Sequence, residues 1–262
     1  MERIAIITGG SSGIGLETAR ALAAAGCRVY EFSRRDAAFD FMRHMRVDVT
    51  DEHAVRAAVD AVVQEAGRID ILINNAGYGI SGAFEFTESA DSHRLMEVNL
   101  FGMDNMIRAV LPYMRRAGCG RIVNLSSVAG PLPIPFQAWY SISKAAVSAM
   151  TMAVANEVKP YGVSVCCVMP GDIKTGFTAA RQKSITGDAE YGGRIEKSVA
   201  RMEHDEQTGM SPATAGRFIA RLALKKRVAP YNTIGIAYKA CVLLSKLLPG
   251  PLIRFILGKM YG

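Results

Sequence analysis

Tyr140 and Lys144 stand four residues apart in Tyr140-Ser141-Ile142-Ser143-Lys144, and Ser127 lies thirteen residues before the tyrosine. Residues at i and i+4 of a helix share a face, so a phenol and an ammonium at this spacing are neighbours. A free phenol titrates at roughly 10, and an adjacent cation lowers that by about 1–3 units by favouring the anion. Such a pair can exchange a proton with an alcohol or a ketone. A lone Y-x-x-x-K is common on solvated helices, so its meaning depends on the elements around it.

Ile4-Ala5-Ile6-Ile7 is a short apolar run suited to a buried parallel strand. It leads into Thr8-Gly9-Gly10-Ser11-Ser12-Gly13-Ile14-Gly15, followed by an Ala-rich stretch at helical spacing from Leu16 to Ala25. Strand, glycine-rich turn and helix together place phosphates at a helix N-terminus. Gly9 permits the tight turn, Gly13 lets the backbone approach a diphosphate, and Gly15 lets the helix pack on the strand. The spacing is T-G-x-x-x-G-x-G and departs from G-x-G-x-x-G. Strand-like and helical segments then alternate, which predicts an α/β fold with a parallel sheet covered on both faces. The expected strands are 3–8, 27–33, 45–48, 69–74, 120–126, 163–169 and 228–231. Helices are expected near 14–25, 51–66, 88–116, 138–159 and 212–224, the last opened by the cap Ser211-Pro212. Pro230 weakens the last strand, because it has no amide proton for the ladder.

With both motifs in place, the chain resembles the short-chain dehydrogenase/reductases over residues 3–232. Further segments fit in order: Asn74-Asn75-Ala76-Gly77, Val98-Asn99-Leu100-Phe101-Gly102, Asn124-Leu125-Ser126-Ser127, and Pro170-Gly171 with Ile173 and Thr175 beyond. The resemblance implies one doubly wound Rossmann-type domain over residues 1–262, with a parallel sheet of about seven strands. It implies an oxidoreductase that transfers a hydride between NADP(H) and a ketone or secondary alcohol. In that reading Tyr140 donates the proton in reduction and accepts it in oxidation. Lys144 lowers the phenol pKa and bonds the nicotinamide ribose, and Ser127, with Ser126 as the competing choice, orients the substrate as a second donor to the carbonyl oxygen, a small oxyanion-type site. Asn99 holds a water beside the lysine in a proton relay. The cofactor residues implied are Gly9, Ser11, Ser12, Gly13, Ile14, Gly15, Asp48, Val49, Asn75, Ala76, Gly77, Pro170, Gly171, Ile173 and Thr175, with Tyr140 and Lys144.

Cofactor choice is read in Tyr30-Glu31-Phe32-Ser33-Arg34-Arg35. An enzyme preferring NAD places an acid after this strand for the ribose 2′-hydroxyl. Here Ser33 holds that position and Arg34 and Arg35 follow. A hydroxyl and a guanidinium suit a 2′-phosphate, so NADP(H) is favoured over NAD(H). Ser12 stands where many NADP-binding relatives carry a basic residue. Glu31 is expected to point away, at a different strand parity.

The formal net charge is +7, but no lysine-arginine run exceeds three residues and no aromatic-basic interleaving occurs. Nucleic acid is therefore not an expected partner. Five cysteines without a C-x-x-C pattern point to reduced thiols and a cytoplasmic location. His44, His53, His93 and His204 lack metal-ligand spacing, and surface positions are expected for all four.

Residues 74–82, 99–102 and 127–130 are similar to the hydroxysteroid and retinol dehydrogenase branch. The proline-stiffened loop from Pro131 to Phe136 could wall a pocket, and residues 172–210, with Phe177, Tyr191, Met202 and His204, resemble a substrate lid. A bulky hydrophobic substrate such as a hydroxysteroid is expected. A 3-ketoacyl-(acyl-carrier-protein) reductase is the alternative enzyme, against which stands the apolar tail over 233–262. A non-catalytic NADP-binding regulator would be expected to lose Tyr140 or Lys144. The resemblance implies a homo-oligomer, a dimer or tetramer built on the helices near 88–116 and 138–159. The tail has two readings. A packed helix pair over the substrate entrance or a subunit contact is expected first, and a basic amphipathic surface in peripheral contact with a membrane second.

Overall fold

β1 (Arg3–Thr8) has five of its six residues buried, as a strand covered on both faces requires. The computed structural model describes residues 2–36 and 38–262. After β1 come α1 (Gly13–Ala24), β2 (Cys27–Ser33), β3 (Arg43–Arg46), α2 (Glu52–Ala66), β4 (Ile71–Asn74) and β5 (Ile80–Ser81). Next are α3 (Ser89–Met96), α4 (Gly102–Ala117), β6 (Gly120–Leu125), α5 (Ala138–Val158) and β7 (Val163–Met169). The chain closes with α6 (Phe177–Ala180), β8 (Gln182–Lys183), α7 (Arg194–Gln207), α8 (Pro212–Leu224), β9 (Tyr231–Thr233), α9 (Ile236–Leu247) and α10 (Gly250–Tyr261).

Seven strands form one sheet in the order β3-β2-β1-β4-β6-β7-β9, with every pairing parallel. Side chains alternate across the sheet. Ile4, Ile6, Tyr30 and Phe32 pack with α2 and α4 residues such as Val59 and Met106. Ala5, Ile7 and Val29 face the other way, against Leu22 of α1 and Ile219 of α8. The strand order reverses between β1 and β4, and ligand crevices of doubly wound sheets open at the carboxyl ends of such strands. The glycine-rich turn after β1 and the Asn75 turn after β4 flank that point.

The two edge strands depart from expectation. β3 occupies 43–46 and not 45–48, so Asp48 and Val49 lie beyond the strand. β9 occupies 231–233 and not 228–231. The Pro230 carbonyl accepts from Cys167 N at 2.8 Å, but proline has no proton to return, and the ladder proper begins one residue later. The long helix expected over 88–116 is broken by a π-helical turn over Glu97–Phe101, which separates α3 from α4. Single π turns inside helices occur frequently at functional sites.

Candidate active site

Helix α5 carries Tyr140 and Lys144 on one face, next to the end of β6 where Ser126 and Ser127 stand. Lys144 Nζ lies 5.6 Å from the centre of the Tyr140 ring and donates to the Leu125 carbonyl at 2.9 Å. The two serines divide their work. Ser126 is buried, and its hydroxyl donates to the Lys144 carbonyl at 2.8 Å, tying β6 to α5. Ser127 Oγ accepts from Ala129 N at 3.1 Å and interacts with the Tyr140 hydroxyl. Of the two serines, Ser127 is the one that faces the Tyr140 hydroxyl.

Both titratable groups are governed by burial. The phenol of Tyr140 is pushed up to about 12 by desolvation, with the Ser127 hydroxyl pulling it down and Glu206 adding to the rise. Lys144 is pushed down to about 8, also by desolvation. This corrects the expected direction for the protein without cofactor. The lysine sits against the ring face and spends a proton on Leu125, so its charge does not overcome the loss of water around the phenol.

Asn99 lies in the π turn and is fully buried. Its Oδ1 accepts from Tyr78 N at 3.0 Å, and its Nδ2 donates to the Tyr78 carbonyl at 2.9 Å and to Ser143 Oγ at 3.2 Å. The side chain thus pins the loop after Gly77 to α5, one residue before Lys144. A Cβ added at Gly77 would come within 2.9 Å of Asn99 Oδ1, so the approach needs glycine. Asn99→Ala removes three hydrogen bonds, one buried and two partly buried. A loss of about 2–4 kcal/mol is expected in chemical denaturation, with turnover falling as Lys144 loses its support.

The crevice beside α1 fits a dinucleotide. The N-terminus of α1 has neither a side-chain cap nor an acid in its first turn, so its amide donors are open to an anion. Gly13 has φ +57°, which a residue with a side chain adopts only with strain. A Cβ at Gly15 would stand 2.3 Å from the Gly9 carbonyl. Asn75 Nδ2 donates to the carbonyls of Thr8 (3.0 Å) and Gly9 (2.9 Å), locking the β4 turn to the β1 turn. Ser11, Ser12, Ile14 and Ala76 lie along the same two turns. Thr175 would be 3.5 Å from a Cβ at Gly13, so the base of the lid closes over the glycine turn. Pro170, Gly171 and the buried Ile173 lead into it, with Gly171 covered by the Tyr238 ring.

At the other end of the crevice, Arg34 is exposed, 3.9 Å from the Asp48 carboxylate. Arg35 Nη2 donates to Ser12 Oγ at 3.3 Å. The basic group absent from the sequence before Gly13 is thus supplied in space by Arg35. Val49 packs under Gly102, and its carbonyl accepts from Asn105 Nδ2 at 3.0 Å.

Glu31 does not point away. Residues 31 and 33 are two apart and share a face, so the parity expected for Glu31 was misassigned. Glu31 is fully buried and accepts from Gly10 N at 2.9 Å and from Ser33 Oγ at 3.2 Å, and its carboxylate pairs with His44 Nδ1 at 2.6 Å. A Cβ at Gly10 would meet Glu31 Cγ at 2.6 Å. His44 is consequently half-buried and not a surface residue.

The segment over 172–210, expected as a lid, packs over the face that carries Tyr140. The Phe177 ring is 5.8 Å from that of Tyr140, and Tyr191 packs edge-on against Phe136, at 5.6 Å, and against Phe86. The proline loop divides. Leu132 packs toward Cys167 and Val242, and Phe136 packs toward the lid. Met202 is buried, whereas His204 is exposed. A charged group escaped the sequence reading. Arg181, 4 % exposed, pairs with Glu206, which also accepts from Thr178 Oγ1 at 2.6 Å. Asp172 accepts from the Tyr238 hydroxyl at 2.6 Å. Burial raises the pKa of both Asp172 and Glu206, and both act electrostatically on Tyr140. A cavity of about 570 Å³ lies elsewhere, between α8, β9 and α9, and touches none of Ser127, Tyr140 and Lys144.

Residues 3–186 match the family described as short chain dehydrogenase. The chain belongs to that family. Its relatives include the 3-ketodihydrosphingosine reductase of Bacteroides thetaiotaomicron, 43% identical over 88% of this chain and 87% of the relative. The dehydrogenase/reductase SDR family member 7B of Xenopus tropicalis is 31% identical over 80% of this chain and 72% of its own length. Among solved structures, a short-chain dehydrogenase from Streptomyces avermitilis superposes with a TM-score of 0.84 at 31% identity, covering 99% of this chain and 96% of its own. As a short-chain dehydrogenase, the protein is an oxidoreductase acting on CH–OH groups.

Proposed function

We propose that the protein reduces a ketone on a long-chain hydrophobic amino alcohol, of the 3-ketodihydrosphingosine type, to the secondary alcohol with NADPH. The observation that carries this reading is the charge around Tyr140. Besides the Lys144 ammonium, Glu206 is paired with Arg181, whereas Asp172, which also acts on Tyr140, accepts from the Tyr238 hydroxyl and has no ion pair among the described residues, so one carboxylate near the site is left without a paired cation. A protonated amine beside the carbonyl complements that charge, and a hydrocarbon chain complements Phe177 and the lid. The relative from Bacteroides supports the same class. A hydroxysteroid matches the apolar lid but leaves Asp172 without a counter-charge.

Bound NADPH supplies the hydride. The chain's own groups do the rest. Ser127 and Tyr140 donate to the ketone oxygen, and the phenol, holding its proton throughout the neutral range, gives it up to the forming alkoxide. Lys144 carries the charge that stabilises the phenolate left behind. The uncapped start of α1 would hold the diphosphate, and Ser33, Arg34 and Arg35 would hold the 2′-phosphate.

The test is a panel of long-chain 3-keto amino alcohols, their N-acetylated forms, 3-ketosteroids and 3-ketoacyl thioesters, followed at the nicotinamide absorbance. The amino ketone is expected to have the highest kcat/KM, and N-acetylation to lower it by about tenfold or more as the charge is lost. Faster reduction of a thioester or a steroid would replace this reading. Cofactor choice has its own check. Arg34→Ala is expected to weaken NADPH more than NADH by about ten- to a hundredfold, the worth of a charge-assisted contact of about 1.5–3 kcal/mol. Equal losses would show that Arg34 does not read the 2′-phosphate. Ser33→Asp should shift preference toward NADH.

Unpaired Cys27, Cys119, Cys166, Cys167 and Cys241 support a reducing, cytoplasmic setting. Phe101 and Ile142, exposed on the helical segments around α4 and α5, support a homo-oligomer contact there.

A further inference from the structure

We propose that α9 and α10 form a surface that docks the protein on an anionic lipid bilayer, lying in its interface without crossing it. From residue 207 to the end the chain carries nine basic residues and no acid, a charge of +9 against −2 for the rest of the chain. Four of the nine, Lys239, Lys246, Arg254 and Lys259, lie on the two helices.

The apolar residues of these helices are turned outward. Only Val242 is buried in α9, and α10 has no buried residue. Ile236 is 87% exposed, Leu247 71% and Phe255 61%. Among the described residues, eight of the thirteen large exposed apolar side chains fall between 236 and 260, which makes one patch and not scattered exposures. Ile236, Leu243 and Leu247 share a face of α9 at i, i+7 and i+11. Lys239 and Lys246 run along the flank of that stripe, where long basic side chains lay their stems on apolar surface and keep their ammonium groups in the headgroup layer. Lys259 Nζ lies 5.8 Å from the Phe255 ring centre in the same arrangement on α10.

This exposure does not come from loose packing. The inner sides are tied to the lid and its hinge: the Tyr238 hydroxyl donates to Asp172 Oδ2 at 2.6 Å, and the Tyr261 hydroxyl donates to Asp205 Oδ2 at 3.1 Å. Val242 packs with Cys167 and Met169. The large cavity opens on this side too, with Arg221, Lys225, Lys239 and Lys246 around an apolar lining. Phosphate headgroups complement such a rim.

A bilayer fits better than a second copy of the chain. A two-fold contact through this face would set lysine against lysine. Each helix has 12 residues, roughly 18 Å, too short for a hydrocarbon core of about 30 Å. No helix among the described residues is long and apolar enough to cross a membrane. The docked face adjoins the lid helix α7 and the loop at Asp172, so a substrate dissolved in the bilayer would enter beside the surface that holds the protein.

The experiment is sedimentation of the full-length protein with sucrose-loaded vesicles, of phosphatidylcholine alone or with about 30 mol% phosphatidylglycerol, at low and high salt. Partition onto the anionic vesicles only, weakened by salt, is expected. Replacing Lys239, Lys246, Arg254 and Lys259 by Gln should lower it at least about tenfold, as should Leu243→Ser with Leu247→Ser and Phe255→Ser. NADPH binding, measured in parallel, reports that each variant is folded. Failure of the folded parent to partition overturns the proposal, as does equal partition of folded variants and parent. A parent dimer that the serine variant breaks, without vesicle binding, gives the face to a second copy instead. Because partition needs no substrate, its failure and a failure of the amino-ketone reading are separate results.

Discussion

Tyr140→Phe is expected to lower turnover by at least about 10³ while NADPH binding stays near that of the parent. Loss of the general acid alone is worth about 10²–10⁴ in rate, and the donor to the carbonyl oxygen goes with it. The ring remains. It keeps its contacts with Phe177 at 5.8 Å and with Lys144 at 5.6 Å, so neither the lid nor the lysine loses its seat. Single-turnover absorbance and a fluorescence titration with NADPH separate the two effects. Turnover within about threefold of the parent would remove Tyr140 from the chemistry. The parent should also show a directional pH response. With the phenol pushed up to about 12, the acid form needed for ketone reduction is intact across the neutral range. Alcohol oxidation needs the phenolate and should climb as pH rises into the alkaline range.

Much of this site could be read from the chain because its signals are local. The i, i+4 spacing of Tyr140 and Lys144 survives as one face of α5, and the glycine turn after β1 survives as an uncapped helix start. Strands β1, β2 and β7 occupy the expected spans, where mostly apolar segments meet turn residues, and helix α8 starts at its Ser211 cap, whose side chain accepts from Thr214 N. The edge strands were harder. β3 is Arg43-His44-Met45-Arg46, which has no apolar run because one side of an edge is solvated. What stayed hidden was assembled across distance. Arg181 and Glu206 are 25 residues apart and Glu31 and Gly10 are 21 apart, and no periodicity joins them. The π turn at Asn99 has no sequence mark beyond the polar residue itself. The direction of the phenol shift also depended on burial, and spacing alone does not report burial.

That same burial makes Lys144 costly to the fold, so Lys144→Met should lose activity and gain stability. Methionine has a similar length and no charge to desolvate. In the folded protein burial pushes the ammonium down to about 8 from its ordinary value of 10.5. Below pH 8 both folded and unfolded lysines are charged, and the folded state bears the full penalty. Between the two values the folded lysine sheds its proton while the unfolded one keeps it, so the penalty fades as pH rises. Above 10.5 neither is charged and none remains. The shift corresponds to a penalty on the order of 3 kcal/mol, against which the substitution forfeits the hydrogen bond to the Leu125 carbonyl, worth about 1 kcal/mol. A net gain of about 1–2 kcal/mol is therefore expected at pH 7, visible as a raised urea midpoint with unchanged slope. The gain should shrink through pH 8–10.5 and turn to a small loss above it. Reduction should fall by about 10² or more, because no cation then stabilises the phenolate. A variant that is less stable than the parent at pH 7, or equally displaced at every pH, would mean that the lysine is not desolvated in the fold. One that is stabilised and still active would mean that its charge is idle in the chemistry.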